Sequence, residues 1–400
     1  MTVPGITIRS ATAEDASAIR TLVETCFGTR YDPAELGQVL RLFPLEEAIV
    51  AVEGDQVVGH VQSTTMAVTV PGGRAVDVCG IAGVGVAPTH RRRGILRAMY
   101  TEQHRRIEAA GLPLTMFTAS VGGLYGRFGY GPATRQNTVG IDRRFAEFLP
   151  STPDPGGVTL QVPSEVRSDI AAVYDRWRAM VPGAQTRPEA SWDMLFDDAP
   201  RFRGGGTDLF ALVHADGYAL YRYHAQGQVK SADVVELRAV TAVAAAALWR
   251  ALLGLDLVQQ VAATLTDHDS LPYLLTDPRL VRTTARSDGL WLRLMDIPAA
   301  LSARSYSSEL DLVLAVTDPF RSAGGTFALR VRDGQADCEP TTGPADIELG
   351  IDVLSSMYLG AYPARVFAAA NRIAVANPAR LRAIDDAFRT QRDAMLGWFF

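Results

Sequence analysis

The sequence predicts an α+β chain of three domains, in which two mixed-sheet domains are followed by a smaller α+β domain. Three observations predict it. Cys79 to Pro132 reads as strand, tight turn, helix, strand; the order of three strands and a helix returns between Val158 and Ile297; and from Ala299 onward short strands give way to helices. The expected boundaries are residues 1–150, 151–298 and 299–400, in line with a prior of about 150 residues per domain.

In order, Ile6 to Arg9 alternates as a short strand. Thr12 stands as an N-cap before Glu14 and Asp15, which open a helix carrying Ile19, Leu22 and Val23. Ala48–Val52 and Gln56–Ser63 read as strands about the turn Glu53-Gly54-Asp55, and Met66–Val70 runs on to a turn at Pro71-Gly72-Gly73. The apolar run Cys79–Val86 reads as a buried strand. After a Pro-containing turn, Ile95, Leu96, Met99, Ile107 and Ala110 recur at helical spacing until Gly111 and Pro113 stop the helix. Leu114–Ala119 is a second apolar strand, and Thr134–Ile141 reads as the closing strand of the first domain. The prolines and glycines of Pro150–Gly157 mark a linker.

In the second region, Val166–Met180 has the periodicity of an amphipathic helix. Asp208–His214 and Tyr218–Ala225 pair about Ala215-Asp216-Gly217, Val229–Val240 is a further strand, and Ala242–Leu253 is an Ala-rich helix. In the third, Asp311–Val316, Thr326–Val331, Ala336–Pro340 and Ile347–Ile351 read as strands, and Asp352–Gly360 and Asp385–Trp398 as helices.

Composition narrows the function. With 48% hydrophobic residues the 400-residue chain has ample core material and is no disordered segment. A net charge of −5 argues against a general nucleic-acid binder and favours cationic substrates. Three cysteines, Cys26, Cys79 and Cys338, have no Cys-x-x-Cys or metal-ligand spacing, and the six histidines form no carboxylate-flanked pair, so no metal is expected. No run reaches the ~18 apolar residues of a membrane span and the N-terminus lacks a charged-then-apolar signal, so a reduced cytoplasm is expected.

The chemistry of the first domain sits at its turn. Arg91-x-x-Gly94 puts a residue without Cβ at a helix start, where unpartnered N–H groups and the helix dipole favour an anion such as a pyrophosphate. Arginine adds a charge that no working pH removes. On the residues alone the arginines also read as a solvated basic turn, and Val84 and Val86 as core. No Ser or Cys lies in a G-x-S-x-G elbow, which disfavours a covalent acyl-enzyme.

GVGVAPTHRRRG (83–94), followed by GGLYGRFGYGPAT (122–134), closely resembles the GCN5-related N-acetyltransferase (GNAT) superfamily, and within it the enhanced intracellular survival (Eis) acetyltransferases. The last position of Arg91-x-x-Gly94-x-Leu96, usually Gly or Ala in the superfamily, is larger here, as the Eis-like branch tolerates. IDVLSSMYLG (351–360) matches the corresponding Eis-like stretch in a sterol carrier protein-like domain. The resemblance implies two tandem GNAT-like domains, the second without a cradle, then the sterol carrier protein-like domain. It implies acetyl transfer from acetyl-CoA to a primary amine, with aminoglycosides and protein lysines as acceptor classes and a homohexamer as the assembly. Carried over residue by residue, the cofactor contacts fall on Val84, Gly85, Val86, Arg92, Arg93, Gly94, Ile95, Leu96, Arg97, Ser120 and Val121. At Val121 the family more often has a polar residue, frequently Glu.

The resemblance also implies the acid and the base. Tyr125 stands where GNAT enzymes place the tyrosine that protonates the leaving thiolate; Tyr130 is the rival, with a packed aromatic as its ordinary reading. The terminal cluster Gly397-Trp398-Phe399-Phe400 is unusual for an end that is commonly solvent-exposed. In Eis-like enzymes the α-carboxylate of the last residue, here Phe400, accepts the proton of the acceptor ammonium, which requires the third domain to reach back to the first. The ordinary alternative is that Trp398 and Phe399 end the last helix and pack on the third domain. A protein lysine acetyltransferase, a non-catalytic acyl-CoA or small-molecule binding protein, and a lipid carrier are the competing functional readings.

Overall fold

The computed structural model describes residues 3–226, 229–375 and 377–400. It divides into two compact units, one built from Met1–Thr134, Pro182–Ser191 and Gly289–Phe400, the other from Arg135–Val181 and Trp192–Asp288.

The first unit opens with β1 (Thr7–Ser10), α1 (Ala16–Phe27) and α2 (Pro33–Leu42). Asp32 caps α2 by accepting from the Glu35 N–H at 2.9 Å, and the Glu35 side chain returns the bond, a capping box. β2 (Ile49–Glu53), β3 (Gln56–Thr69) and β4 (Ala75–Val86) follow as antiparallel neighbours. The two expected pieces of β3 are one continuous strand. α3 (Ile95–Ala109) buries Ile95, Met99, Gln103 and Ile107 and exposes Arg97, Thr101 and Arg105, as its apolar spacing requires. β5 (Leu114–Thr118), the short α4 (Gly122–Tyr125) and β6 (Gly131–Pro132) complete the run. Ile49, Val50, Val58, Ile81, Ile95, Met99 and Tyr100 form the centre of one apolar core.

The expected closing strand differs. Arg135–Asp142 pairs with Gln260–Leu265 and Val281–Asp288 in the second unit's sheet, and the first sheet is completed by Leu290–Leu294, lying between β5 and β6. Both segments have strand-forming residues, and pairing partners so far apart in sequence leave no local mark. In the second unit, Val139, Ile141, Leu248, Leu252 and Val261 share a core. Its helix Ala242–Leu253 is capped by the Thr241 hydroxyl, which accepts from the Ala244 N–H at 3.2 Å.

The C-terminal part of the first unit is a five-stranded sheet in the order 335–340, 325–332, 310–317, 347–350, 373–375, with helices at Ile297–Ala303, Ile351–Met357, Ala364–Ala369 and Pro378–Phe388. The last helix starts and stops earlier than its expected span of Asp385–Trp398. Residues 389–400 are an irregular tail that leaves this sheet altogether. Among the described residues no helix is long and apolar enough to cross a membrane.

Candidate active site

The site is built where β4 and β5 part. They pair in parallel only from Val78↔Leu114 to Gly80↔Met116, so Ile81–Val86 has no strand partner on that side among the described residues. On its other side β4 carries a bulge against β3, where Gly83 and Val84 stand opposite Val61 alone. Gly83 has φ +58°, a left-handed conformation that strains any residue with a side chain, and a Cβ there would sit 2.9 Å from the Gln62 side chain. The buried His60 ring faces the Gly83 carbonyl at 2.9 Å through Nδ1; a carbonyl only accepts, so Nδ1 carries the proton. Burial pushes the His60 pKa down to about 4. Val84 and Val86 are half-buried with their apolar sides on the core, and Gly85 is buried. The Cys26 thiol, whose pKa burial raises, lies 3.6 Å from the Val86 carbonyl.

The turn after β4 runs from Arg91 to Gly94, with Arg92 at φ +63° and Gly94 at φ +84°. No side chain caps α3, in contrast to the Thr241 cap, so the N–H groups at its start, in Ile95, Leu96 and Arg97, are open to an anion. Nothing lies closer than 3.9 Å to the place a Gly94 Cβ would take. A pyrophosphate fits this turn. Arg92, Arg93, Gly94 and Arg97 are exposed and Ile95 is buried; Leu96 is half-buried. The Arg93 guanidinium contacts Glu53 at 2.5 Å, and Glu53 also meets His90 Nε2 at 2.9 Å, which lowers the Glu53 pKa to about 2. Arg97 lies over the Phe320 ring. Ser120 and Val121 are exposed at the start of α4.

Tyr125 is buried beside Phe117, with ring centroids 4.4 Å apart, and burial raises its pKa. Tyr130 is fully buried, with its hydroxyl 2.9 Å from His104 Nε2, a packed aromatic. The loop between the two tyrosines is held from Leu290–Leu294: Arg293 Nη1 donates to the Phe128 carbonyl at 2.6 Å, and Arg293 Nη2 pairs with Asp318.

The C-terminal tail ends at the same place. The Thr118 hydroxyl, at the end of β5, donates to a carboxyl oxygen of Phe400 at 2.9 Å. The Phe400 ring lies over Gly80, where a Cβ would meet it at 3.1 Å and Met66 at 2.5 Å, and it packs on Trp398 with centroids 5.4 Å apart. Trp398 is buried not as a helix end but through the segment Pro182–Ser191. Its indole Nε1 donates to the Thr186 carbonyl at 3.0 Å. The fully buried Gln185 donates to the Trp398 carbonyl at 3.1 Å and accepts from the Gly397 N–H at 2.7 Å. Sequence reasoning missed Gln185, Thr118 and Met66; a lone Gln in a polar, Pro-bounded stretch carries no signal. Beside Met66 and Thr186 opens a cavity of about 240 Å³ whose wall includes Arg41, Thr64, Thr65 and Arg187. Among the described residues no group of His, Cys, Asp and Glu could hold a metal ion.

Comparison with known proteins agrees with this architecture. Residues 7–133 and 183–294 each match an acetyltransferase (GNAT) domain family, and residues 297–397 match the sterol carrier protein domain. Fold and site thus define an N-acetyltransferase of the GNAT superfamily. The chain is 46% identical over 394 residues to N-acetyltransferase Eis of Mycobacterium tuberculosis (strain ATCC 25177 / H37Ra), covering 96% of each chain. It is 31% identical to an uncharacterized N-acetyltransferase of Streptomyces griseus, covering 96% of this chain and 97% of that one. The crystal structure of Eis1 from Mycobacterium abscessus superimposes with a TM-score of 0.89 at 29% identity, over 98% of this chain and all of that one. The chain belongs to the Eis family of N-acetyltransferases.

Proposed function

We propose that this enzyme transfers the acetyl group of acetyl-CoA to a primary amine of a small acceptor by direct attack, with Phe400 as base and Tyr125 as acid. Acetyl-CoA supplies a thioester carbonyl when bound. The unpaired edge at Val84 and Val86 is suited to pair with its amides as an added strand, with Gly85 keeping the backbone close. The N–H groups of Ile95, Leu96 and Arg97, with Arg92, Arg93 and Gly94, suit its pyrophosphate, while Ser120 and Val121 flank the other side.

The Phe400 carboxylate takes a proton from the acceptor ammonium. The freed nitrogen lone pair forms the bond to the acetyl carbon, the carbon–sulfur bond breaks, the Tyr125 hydroxyl gives its proton to the departing sulfur, and the remaining extra proton on the new amide nitrogen restores the tyrosine hydroxyl. A buried tyrosine with a raised pKa stays protonated at working pH, so its hydroxyl is present as a donor when the carbon–sulfur bond breaks. The observation that carries the reading is the Phe400 carboxyl held by Thr118 at the fork of β4 and β5.

Aminoglycoside-like amines are the acceptor class implied by the family, and a cytoplasmic homohexamer is the assembly proposed with them. The test is release of free coenzyme A when the protein is mixed with acetyl-CoA and a panel of aminoglycosides, polyamines and lysine peptides. Amine-dependent release supports the transferase; tight acetyl-CoA binding without release across the panel would leave a binding protein.

A further inference from the structure

A general base works only from a fixed place, and the base proposed for this enzyme sits on the part of a chain that is commonly mobile, its last residue. Residues 389–400 belong to no helix or strand, so no ladder of their own holds them. Thr118 meets one oxygen of the Phe400 carboxyl, which fixes a point but leaves the chain behind it to be held by other means.

Gln185 does for the tail what a neighbouring strand would do. Its Oε1 accepts from the Gly397 N–H at 2.7 Å and the Trp398 N–H at 3.4 Å, and its Nε2 donates to the Trp398 carbonyl at 3.1 Å. A carboxamide carries an acceptor and a donor in one plane, as a peptide group does, which a carboxylate or an ammonium cannot imitate. The side chain is fully buried, so the backbone groups it serves have no ready substitute in water.

Gln185 is in turn anchored on the sheet that carries the site. It bridges Val68 of β3, and on either side of it the Gly183 N–H donates to the Thr69 carbonyl and the Thr186 N–H to the Ala67 carbonyl, each at 2.8 Å. The line of support therefore runs from β3 through Gln185 to Trp398 and on to Phe400. Only Phe399, which is 78% exposed, stands between the held backbone and the base.

We propose that Gln185 is a positioning residue for acetyl transfer: its carboxamide sets where the Phe400 carboxylate stands, and it acts on the rate through that carboxylate. This rests on the transferase reading above and on Phe400 as its base. Displacing a reacting group by about 1 Å can cost about 10²-fold in rate, so a side chain that touches the tail and not the substrate can still govern turnover.

Gln185→Met keeps the length and the burial and removes both hydrogen-bonding ends. With the best acceptor of the aminoglycoside, polyamine and lysine-peptide panel, kcat should fall roughly 10–100-fold while the calorimetric Kd for acetyl-CoA stays as it was. In the chain lacking Phe400 the same substitution should cost about twofold or less, because no base is left to position; a residue that merely supports the fold would cost the same in both backgrounds. Carboxypeptidase A, which trims aromatic C-terminal residues, should release phenylalanine from Gln185→Met roughly tenfold faster than from the unmodified protein, since trimming tracks how often the tail opens. Gln185→Glu keeps an acceptor for the two N–H groups but sets a second oxygen against the Trp398 carbonyl, so it should move all three readouts the same way, and it serves where Gln185→Met does not fold. An unchanged kcat, an equal loss with and without Phe400, or a tail trimmed no faster in the variants overturns the proposal. Trimming is read without turnover, so an unmodified protein that releases no coenzyme A counts against the transferase reading, while the trimming rates still decide whether Gln185 holds the chain end.

Discussion

Thr118 and Phe400 are 282 residues apart in sequence, yet the hydroxyl of one donates to the carboxyl of the other at 2.9 Å. The end of the chain is thereby fixed at the end of β5, with Gln185 and Thr186 fastening Gly397 and Trp398 behind it.

Removing Phe400, or extending the chain with a C-terminal tag, should lower kcat by roughly 10²–10⁴-fold, the range of a general base, while the dissociation constant for acetyl-CoA stays as it was. Thr118→Val should cost less, roughly 10-fold, because it removes one hydrogen bond to a charged group and leaves the carboxylate. Steady-state kinetics with calorimetric cofactor binding checks both. A fully active tagged enzyme refutes the base.

The two tyrosines separate by what is lost. Tyr125→Phe should lower kcat by roughly 10²–10⁴-fold with the melting temperature unchanged. Tyr130→Phe should instead lower stability by about 1–3 kcal/mol, because the buried His104 loses its Nε2 partner while Nδ1 already has none. Near-normal turnover in Tyr125→Phe with loss in Tyr130→Phe would reverse the roles.

At the turn, Gly94→Val should raise the KM for acetyl-CoA sharply with a small change in kcat. The side chain has room among the protein atoms but stands where the proposed pyrophosphate would approach, and φ +84° adds about 1–2 kcal/mol of backbone strain. An unchanged KM in a folded variant would remove Gly94 from the cofactor site.

His60 gives the fold a pH dependence. Its pKa is about 4 in the folded chain against the ordinary 6.5, so between those values the unfolded chain binds more protons and stability rises with pH. On acidification from pH 6.5 to 4 the loss from this group is on the order of 3 kcal/mol. His60→Asn, which keeps a donor for the Gly83 carbonyl but does not titrate, should flatten that part of the denaturant-measured profile and preserve the KM for acetyl-CoA. His60→Ala should raise that KM by freeing the bulge. An unchanged profile in His60→Asn would assign the acid sensitivity elsewhere.

Asp318→Asn leaves the fully buried Arg293 guanidinium without its counter-charge, which typically costs about 3–5 kcal/mol. Thermal unfolding should show a marked drop in Tm. Because Arg293 also holds the Phe128 carbonyl, kcat should fall at temperatures where the variant is still folded.

Local pattern made the frame of the candidate site legible. The apolar run into β4, the breaker-bounded periodicity of α3 and the RxxG turn each follow from spacing within a few residues, and the aromatic terminus pointed to a tail that something must bury. What escaped was partnership at a distance. Arg135–Asp142 and Leu290–Leu294 read equally well as strands for either sheet, because alternation fixes a face and not a neighbour. Gln185 matters through three backbone groups of the tail, which no residue type encodes.

The position of Leu290–Leu294 also dictates when the catalytic domain can be finished during synthesis. That strand leaves the ribosome roughly 170 residues after β5, which at about 5–20 residues per second is an interval of roughly 10–35 s. Throughout it the β5 edge stands open and Phe117 waits for Trp291, whose ring stacks on it at 6.4 Å in the finished protein. A nascent chain of this kind offers an unpaired apolar edge of the sort that seeds aggregation. A premature stop shortly before Leu290 therefore releases a sheet with an open edge for quality control to remove, however complete its Arg91–Gly94 turn.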